Sequence, residues 1–165
     1  VVLPHCPRPY YALGHSMGGH VLLRHASSPT PYFDRMVLTA PMVDIARETL
    51  TMSRGLARTL CEAAGLIGMA SRFTPNGARV PVDLGPFEDN PFTHDRPRFD
   101  RTILLFTAGQ DTIASTRAIE DLGQRLKLGQ VIRIPDARHE ILMETDAVRR
   151  RFWAGFDAYL GVEAT

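Results

Sequence analysis

Ser16 stands in the stretch Gly14-His15-Ser16-Met17-Gly18-Gly19, after the apolar run Tyr10 to Leu13 and ahead of a segment with helical spacing. A G-x-S-x-G pattern at a strand-to-helix turn is the context in which a serine hydroxyl is pushed clear of the backbone. The turn strains the serine, and a side chain at either flanking glycine, Gly14 or Gly18, is expected to collide with the neighbouring strand or helix. A helix opening near Met17 aims its free N–H groups and positive dipole end at the same spot. The Met17 N–H is therefore the candidate donor to a developing oxyanion. Phosphate-binding glycine loops fit poorly: a dinucleotide loop wants glycine where Ser16 stands, and a P-loop wants a Lys-Ser/Thr pair that this stretch lacks.

A serine hydroxyl is a weak nucleophile at neutral pH, so it needs a histidine base and a carboxylate to orient that base. Asp111 follows the apolar run Ile103 to Ala108 through Gly109-Gln110, and His139 follows Val131-Ile132-Arg133-Ile134 through Pro135-Asp136-Ala137-Arg138. Each sits in the loop after a strand, and they come in the order serine, aspartate, histidine. The other histidines are His5, His15, His20, His25 and His94. His15 lies inside the turn, while His20 and His25 ride its helix, which suits packing or pocket roles. Asp136 has the wrong chain order, and Asp146 reads as the cap of the last helix.

These residues need a scaffold, and the hydrophobic pattern supplies one. Tyr10 to Leu13, Met36 to Ala40 and Ile103 to Ala108 are short continuous apolar runs, as in strands buried on both faces of a parallel sheet. Val131 to Ile134 carries an arginine in its alternation and reads as an edge strand with one wetter face. Helical spacing runs over Gly18 to Ser27, over Ala118, Ile119, Leu122 and Leu126, and over Val148, Phe152, Phe156 and Leu160. Strand then helix, repeated, predicts an α/β domain with a mostly parallel sheet of about four strands. Residues 42–100 interrupt the alternation with an amphipathic stretch and a Pro/Gly-rich run, as an insertion above the sheet would. Residues 1–165 read as one domain.

At 165 residues with 44% hydrophobic and 22% charged content, the chain can bury one substantial core. Its net charge is +1 and its basic residues are scattered apart from Arg149-Arg150-Arg151, which argues against nucleic acid as a partner. The arginine triplet reads as the solvated face of a terminal helix, with contact to an anionic membrane surface as the lesser reading. Cys6 and Cys61 form no CxxC and no His/Cys metal spacing, so neither a disulfide framework nor a metal site is expected. A reducing, cytoplasmic setting follows as an expectation, peripheral to the inner membrane if the triplet touches lipid. No apolar run approaches about 18 residues, the length that reads as a membrane-spanning candidate.

Gly14-His15-Ser16-Met17-Gly18-Gly19, Leu38-Thr39-Ala40-Pro41-Met42, Ala108-Gly109-Gln110-Asp111 and Ala137-Arg138-His139-Glu140-Ile141-Leu142-Met143-Glu144 together resemble the α/β-hydrolase superfamily. Within it they resemble the bacterial lysophospholipase and monoacylglycerol lipase-like serine hydrolases. The resemblance implies that Ser16 is the nucleophile, His139 the base, Asp111 its orienting carboxylate and Met17 one oxyanion donor. It makes residues 42–100 a helical cap over a small lipid-like ester, with no cofactor required. Related peptidase and acyltransferase chemistry stays open, as does an impaired or inactive fragment. The family pattern carries further strands and a His-Gly oxyanion loop ahead of the serine turn, whereas 15 residues precede Ser16. His5-Cys6-Pro7 is a poor substitute for that loop. The expectation is a partial fold with an unpaired first strand, open to self-association.

Overall fold

The computed structural model describes residues 5–28, 30–46, 59 and 102–161. Four strands, β1 (Tyr11–His15), β2 (Arg35–Thr39), β3 (Thr102–Ala108) and β4 (Gly129–Ile134), form one sheet in the order β1-β2-β3-β4. Every pairing is parallel. Helices α1 (Met17–Ala26), α2 (Thr116–Arg125) and α3 (Asp146–Leu160) flank it, with a short 3₁₀ turn at Ile141–Met143.

The continuous apolar runs follow from covering both faces. Along β3, Ile103 and Leu105 join a core with Leu23 of α1 and Ile119 and Leu122 of α2. Leu104 and Phe106 point the other way, into a second core with Val148 and Phe152 of α3. All six β3 residues from Ile103 to Ala108 are buried, so no position in the strand can be polar unless it finds a partner. Thr107 meets that condition through Glu120, at 3.4 Å. At the edge, Arg133 of β4 reaches the same Glu120 carboxylate at 3.4 Å, the wetter face expected of that strand.

Several boundaries differ from the sequence reading. β1 begins at Tyr11 and continues through Gly14 and His15, which pair with Leu38 and Thr39, so the ladder runs right up to the serine. β2 stops at Thr39 because Ala40 turns to φ 42, outside the strand region. α1 opens at Met17, where the helix after the serine turn was expected to begin, and ends at Ala26. Asp146 is the first residue of α3, not its cap; Thr145 precedes the helix, and the Asp146 carboxylate pairs with Arg149. An acidic group in the first turn suits the helix dipole as well as a cap would. Arg151 pairs with Asp136 at 3.1 Å, so two of the three clustered arginines are held in surface ion pairs. Most of the insertion read at 42–100 lies outside the described residues, as does Cys61; Cys6 is a free, exposed thiol.

The glycines around the serine divide in a way the motif alone does not reveal. A Cβ on Gly14 would stand 2.7 Å from Leu22 Cδ1 and 3.0 Å from the Gly18 backbone, so α1 rests directly on β1 there. A Cβ on Gly18 meets nothing within 4 Å among the described residues, which corrects the expected collision. The second close approach belongs to Gly19, where a Cβ would stand 2.7 Å from Pro41 Cβ. Gly19→Ala should therefore destabilise by about 1–3 kcal/mol through overpacking. Gly18→Ala, in the first turn of α1, should be neutral or stabilise by up to about 1 kcal/mol. Urea unfolding midpoints of the two variants check this; equal losses at both would contradict it.

Candidate active site

Ser16 links β1 to α1 with φ 51 and ψ −116, a left-handed backbone that a non-glycine residue rarely adopts. Three main-chain bonds hold it there. Its N–H donates to Thr39 O at the end of β2 (3.0 Å), and its carbonyl accepts from His20 N (3.2 Å) and Met42 N (2.9 Å). Met17 opens α1, so its N–H belongs to the first-turn donors that find no partner within their own helix.

The loops after β3 and β4 meet beside this turn. Gly109 N donates to Ile134 O and Gln110 N to Ala137 O, both at 2.9 Å, which zips one loop to the other. The approach is close enough that a Cβ on Gly109 would stand 2.3 Å from Pro135 O, so glycine is required. The loop after β2 is tied in as well: Ser115 N donates to Asp44 O, and Ile45 and Ala114 form an antiparallel bridge.

The result is a continuous hydrogen-bonded line. His139 Nε2 lies 2.9 Å from Ser16 Oγ, and His139 Nδ1 lies 2.8 Å from Asp111 Oδ2. Asp111 Oδ1 accepts from the backbone N–H of Ile113 (2.8 Å) and Ala114 (2.9 Å). A carboxylate can only accept, so Nδ1 of His139 carries a proton and Nε2 presents its lone pair to the serine hydroxyl. Burial by itself would raise the Asp111 carboxyl. The bonds from His139, Ile113 and Ala114 outweigh burial and leave its pKa below the ordinary value, so the group is ionised.

Other residues fall around this line. Glu144 reaches back to accept from Arg138 N (3.1 Å) and Nε (3.2 Å), clasping the loop that presents His139. Those bonds, led by the one from the Arg138 N–H, hold the Glu144 carboxyl below its usual pKa. His20 is buried with Nδ1–H donating to Met42 O at 2.9 Å, and burial pushes its pKa down. His25 packs between Tyr32 and Phe33. Both are the packing residues expected, and His94 lies outside the described residues. His15 stacks near His139 with ring centroids 5.0 Å apart, and its Nε2 is 3.0 Å from Glu140 Oε2. His15, His139 and Glu140 thus bring potential metal-ligating atoms within 4.8 Å of one another, a grouping that residue spacing along the chain hides. Glu140 and Glu144 were not singled out as site residues from sequence; their signal was the His-Glu-x-x-x-Glu spacing after Arg138.

Among known families, one described as "Serine aminopeptidase, S33", a group of hydrolases, matches residues 1–83, just over half the chain. The chain is an α/β hydrolase of this family. No curated protein matches it. Of solved structures, a monoacylglycerol lipase from Paleococcus ferrophilus aligns with a TM-score of 0.65 at 18% identity, over 93% of this chain and 68% of its own. A soluble variant of monoglyceride lipase from Saccharomyces cerevisiae aligns at 0.66 and 18% identity, over 95% and 63%. An esterase from a Rhodococcus species aligns at 0.56 and 16%, over 93% and 66%. At these identities the likeness is one of fold: the four parallel strands and their flanking helices belong to the α/β-hydrolase architecture. The chain spans roughly two thirds of the length of these neighbours.

Asp111 and Glu144 both have folded pKa values below their ordinary 3.8 and 4.5. Such groups contribute stability that is fully present above the ordinary value and drains away as pH falls through the folded one. Urea unfolding should therefore show stability level above pH 4.5 and falling below 3.8, with a shallower acid slope in Asp111→Asn. An unchanged slope in that variant would contradict the assignment.

Proposed function

We propose that this α/β hydrolase cleaves carboxylic esters of the lysophospholipid or monoacylglycerol kind through an acyl-enzyme on Ser16. The observation that carries the reading is the unbroken line from Asp111 through His139 to Ser16, each contact under 3 Å. In the first step Ser16 Oγ attacks the ester carbonyl carbon while its proton passes to His139 Nε2. The Met17 N–H donates to the oxyanion that forms. The intermediate then collapses, the C–O bond to the glycerol side breaks, and His139 returns the proton to the departing oxygen. Water, deprotonated by the same nitrogen, attacks the acyl carbon; the bond to Ser16 Oγ breaks, His139 returns the proton to Oγ, and the fatty acid leaves. Asp111 remains ionised throughout, steadying the imidazolium and fixing which nitrogen faces the serine.

Lipid-like esters are favoured by the exposed apolar side chains around the serine turn, Met17, Val21 and Ile113 among them. The two lipase neighbours share this architecture, one named a monoacylglycerol lipase and the other a monoglyceride lipase. Cap residues within 42–100 would set acyl length. Peptide bonds form the second reading, favoured by the family's description as an aminopeptidase; the same line of groups serves either acyl transfer. Among the described residues no helix is long and apolar enough to cross a membrane. The β1 edge, with Tyr11 and Leu13 exposed, is the surface through which copies of the chain would associate.

A fluorophosphonate probe should label the chain at Ser16, and Ser16→Ala should abolish labelling. With a monoacylglycerol and an aminoacyl-naphthylamide offered side by side, ester turnover should dominate. Asp111→Asn should lower turnover by about 10⁴ by favouring the wrong tautomer of His139. A folded chain that the probe leaves unlabelled would overturn the proposal, and preferential amide cleavage would move it to the second reading.

A further inference from the structure

Beside the serine turn, ring nitrogens of two histidines and an oxygen of one exposed carboxylate, Glu140, come within 4.8 Å of one another. His139 is fixed by Asp111, as described above. His15 is anchored by Thr39: its Nδ1 lies 3.1 Å from both Thr39 O and Thr39 Oγ1, and in the tautomer that donates to the carbonyl the proton sits on Nδ1. In that form Nε2 of His15 is a lone pair, shielded from solvent, and it lies 3.0 Å from Glu140 Oε2. Two such atoms are held together by a shared cation, either a proton or a metal ion.

We propose that His15, Glu140 and His139 form a site for a divalent transition-metal ion of the zinc class, and that the bound ion blocks the base. The ligand set is two imidazoles and a carboxylate, the combination borderline ions such as Zn²⁺ favour. Both imidazoles already carry the support that metal-bound histidines use: Nδ1–H to a carboxylate for His139 and Nδ1–H to a backbone carbonyl for His15. The ligand atoms lie within 4.8 Å of one another, and zinc bonds of about 2.0–2.2 Å require small shifts among them. Glu140, on an exposed side chain, supplies that movement. The ion would take the Nε2 lone pair of His139 away from Ser16, with the serine oxygen or a water as fourth ligand. The inhibitory consequence rests on the hydrolase reading above, whereas the binding itself does not.

Titration of the full chain with Zn²⁺ alone, followed by calorimetry, and with Co²⁺, followed by its visible spectrum, tests the site. One ion per chain is expected in the parent and in Ser16→Ala, with a tetrahedral Co²⁺ spectrum. Binding should weaken at least about tenfold in Glu140→Gln and in His139→Gln. A cooperative melting transition in each variant confirms that it remains folded, and the Zn²⁺-dependent rise in melting temperature expected of the parent should be lost in both. Zn²⁺ should also slow fluorophosphonate labelling of the parent. Absence of binding, or binding that Glu140→Gln and His139→Gln leave intact, overturns the inference. If the ion binds to Ser16→Ala while the parent is never labelled, the hydrolase reading fails and the metal site stands.

Discussion

His139 Nε2 and Ser16 Oγ are 2.9 Å apart although 123 positions separate them in the chain. Almost everything described in the fold serves that contact. A parallel sheet puts the carboxyl ends of its strands on one edge, so the loops after β1, β2, β3 and β4 converge there by topology. Convergence gives neighbourhood; distance is set by the loop-to-loop bonds. Gly109 and Gln110 bond to Ile134 and Ala137, Met42 bonds to Ser16, and Ser115 bonds to Asp44, so three loops are fixed against the serine turn before any side chain acts.

The serine's strained backbone is maintained by the same network. A left-handed conformation at a non-glycine residue costs on the order of 1–3 kcal/mol and persists only where the surroundings over-determine it. Here the amide and carbonyl of Ser16 are both tied down, and α1 rests against β1 at Gly14 and against Pro41 at Gly19. On the acid side, Asp111 spends one oxygen on His139 and the other on two backbone amides, so the carboxylate cannot swing away without leaving those donors unpaired. Glu144 does comparable service from outside by holding Arg138, the residue that leads into His139.

The parts of the site legible in the sequence were those with local signatures. Glycines around one serine, and a polar residue just past an apolar run, report on backbone geometry a few residues away. Ser16, Asp111 and His139 could be named on that ground, and the structure brings the three together. The four-stranded parallel sheet was likewise readable, because strands covered on both faces must be continuously apolar. What escaped was non-local. Gly18 looked crowded and is open, whereas Gly19 is crowded by Pro41, a residue whose position depends on the β1–β2 register. The meeting of His15 with Glu140 depends on the β4 loop folding over the serine turn, and nothing in the spacing of the two residues announces it. Asp146 failed as a cap because residues with capping chemistry are equally at home in the first turn.

The central claim is that a proton on His139 Nδ1 is held by Asp111 while Nε2 faces the serine. Proton NMR of the chain with ¹⁵N-labelled histidine reads that proton directly. A far-downfield resonance coupled to Nδ1 of His139 is expected, retained in Ser16→Ala and lost in Asp111→Ala. A folded parent with no such resonance, or one that survives Asp111→Ala, would contradict it.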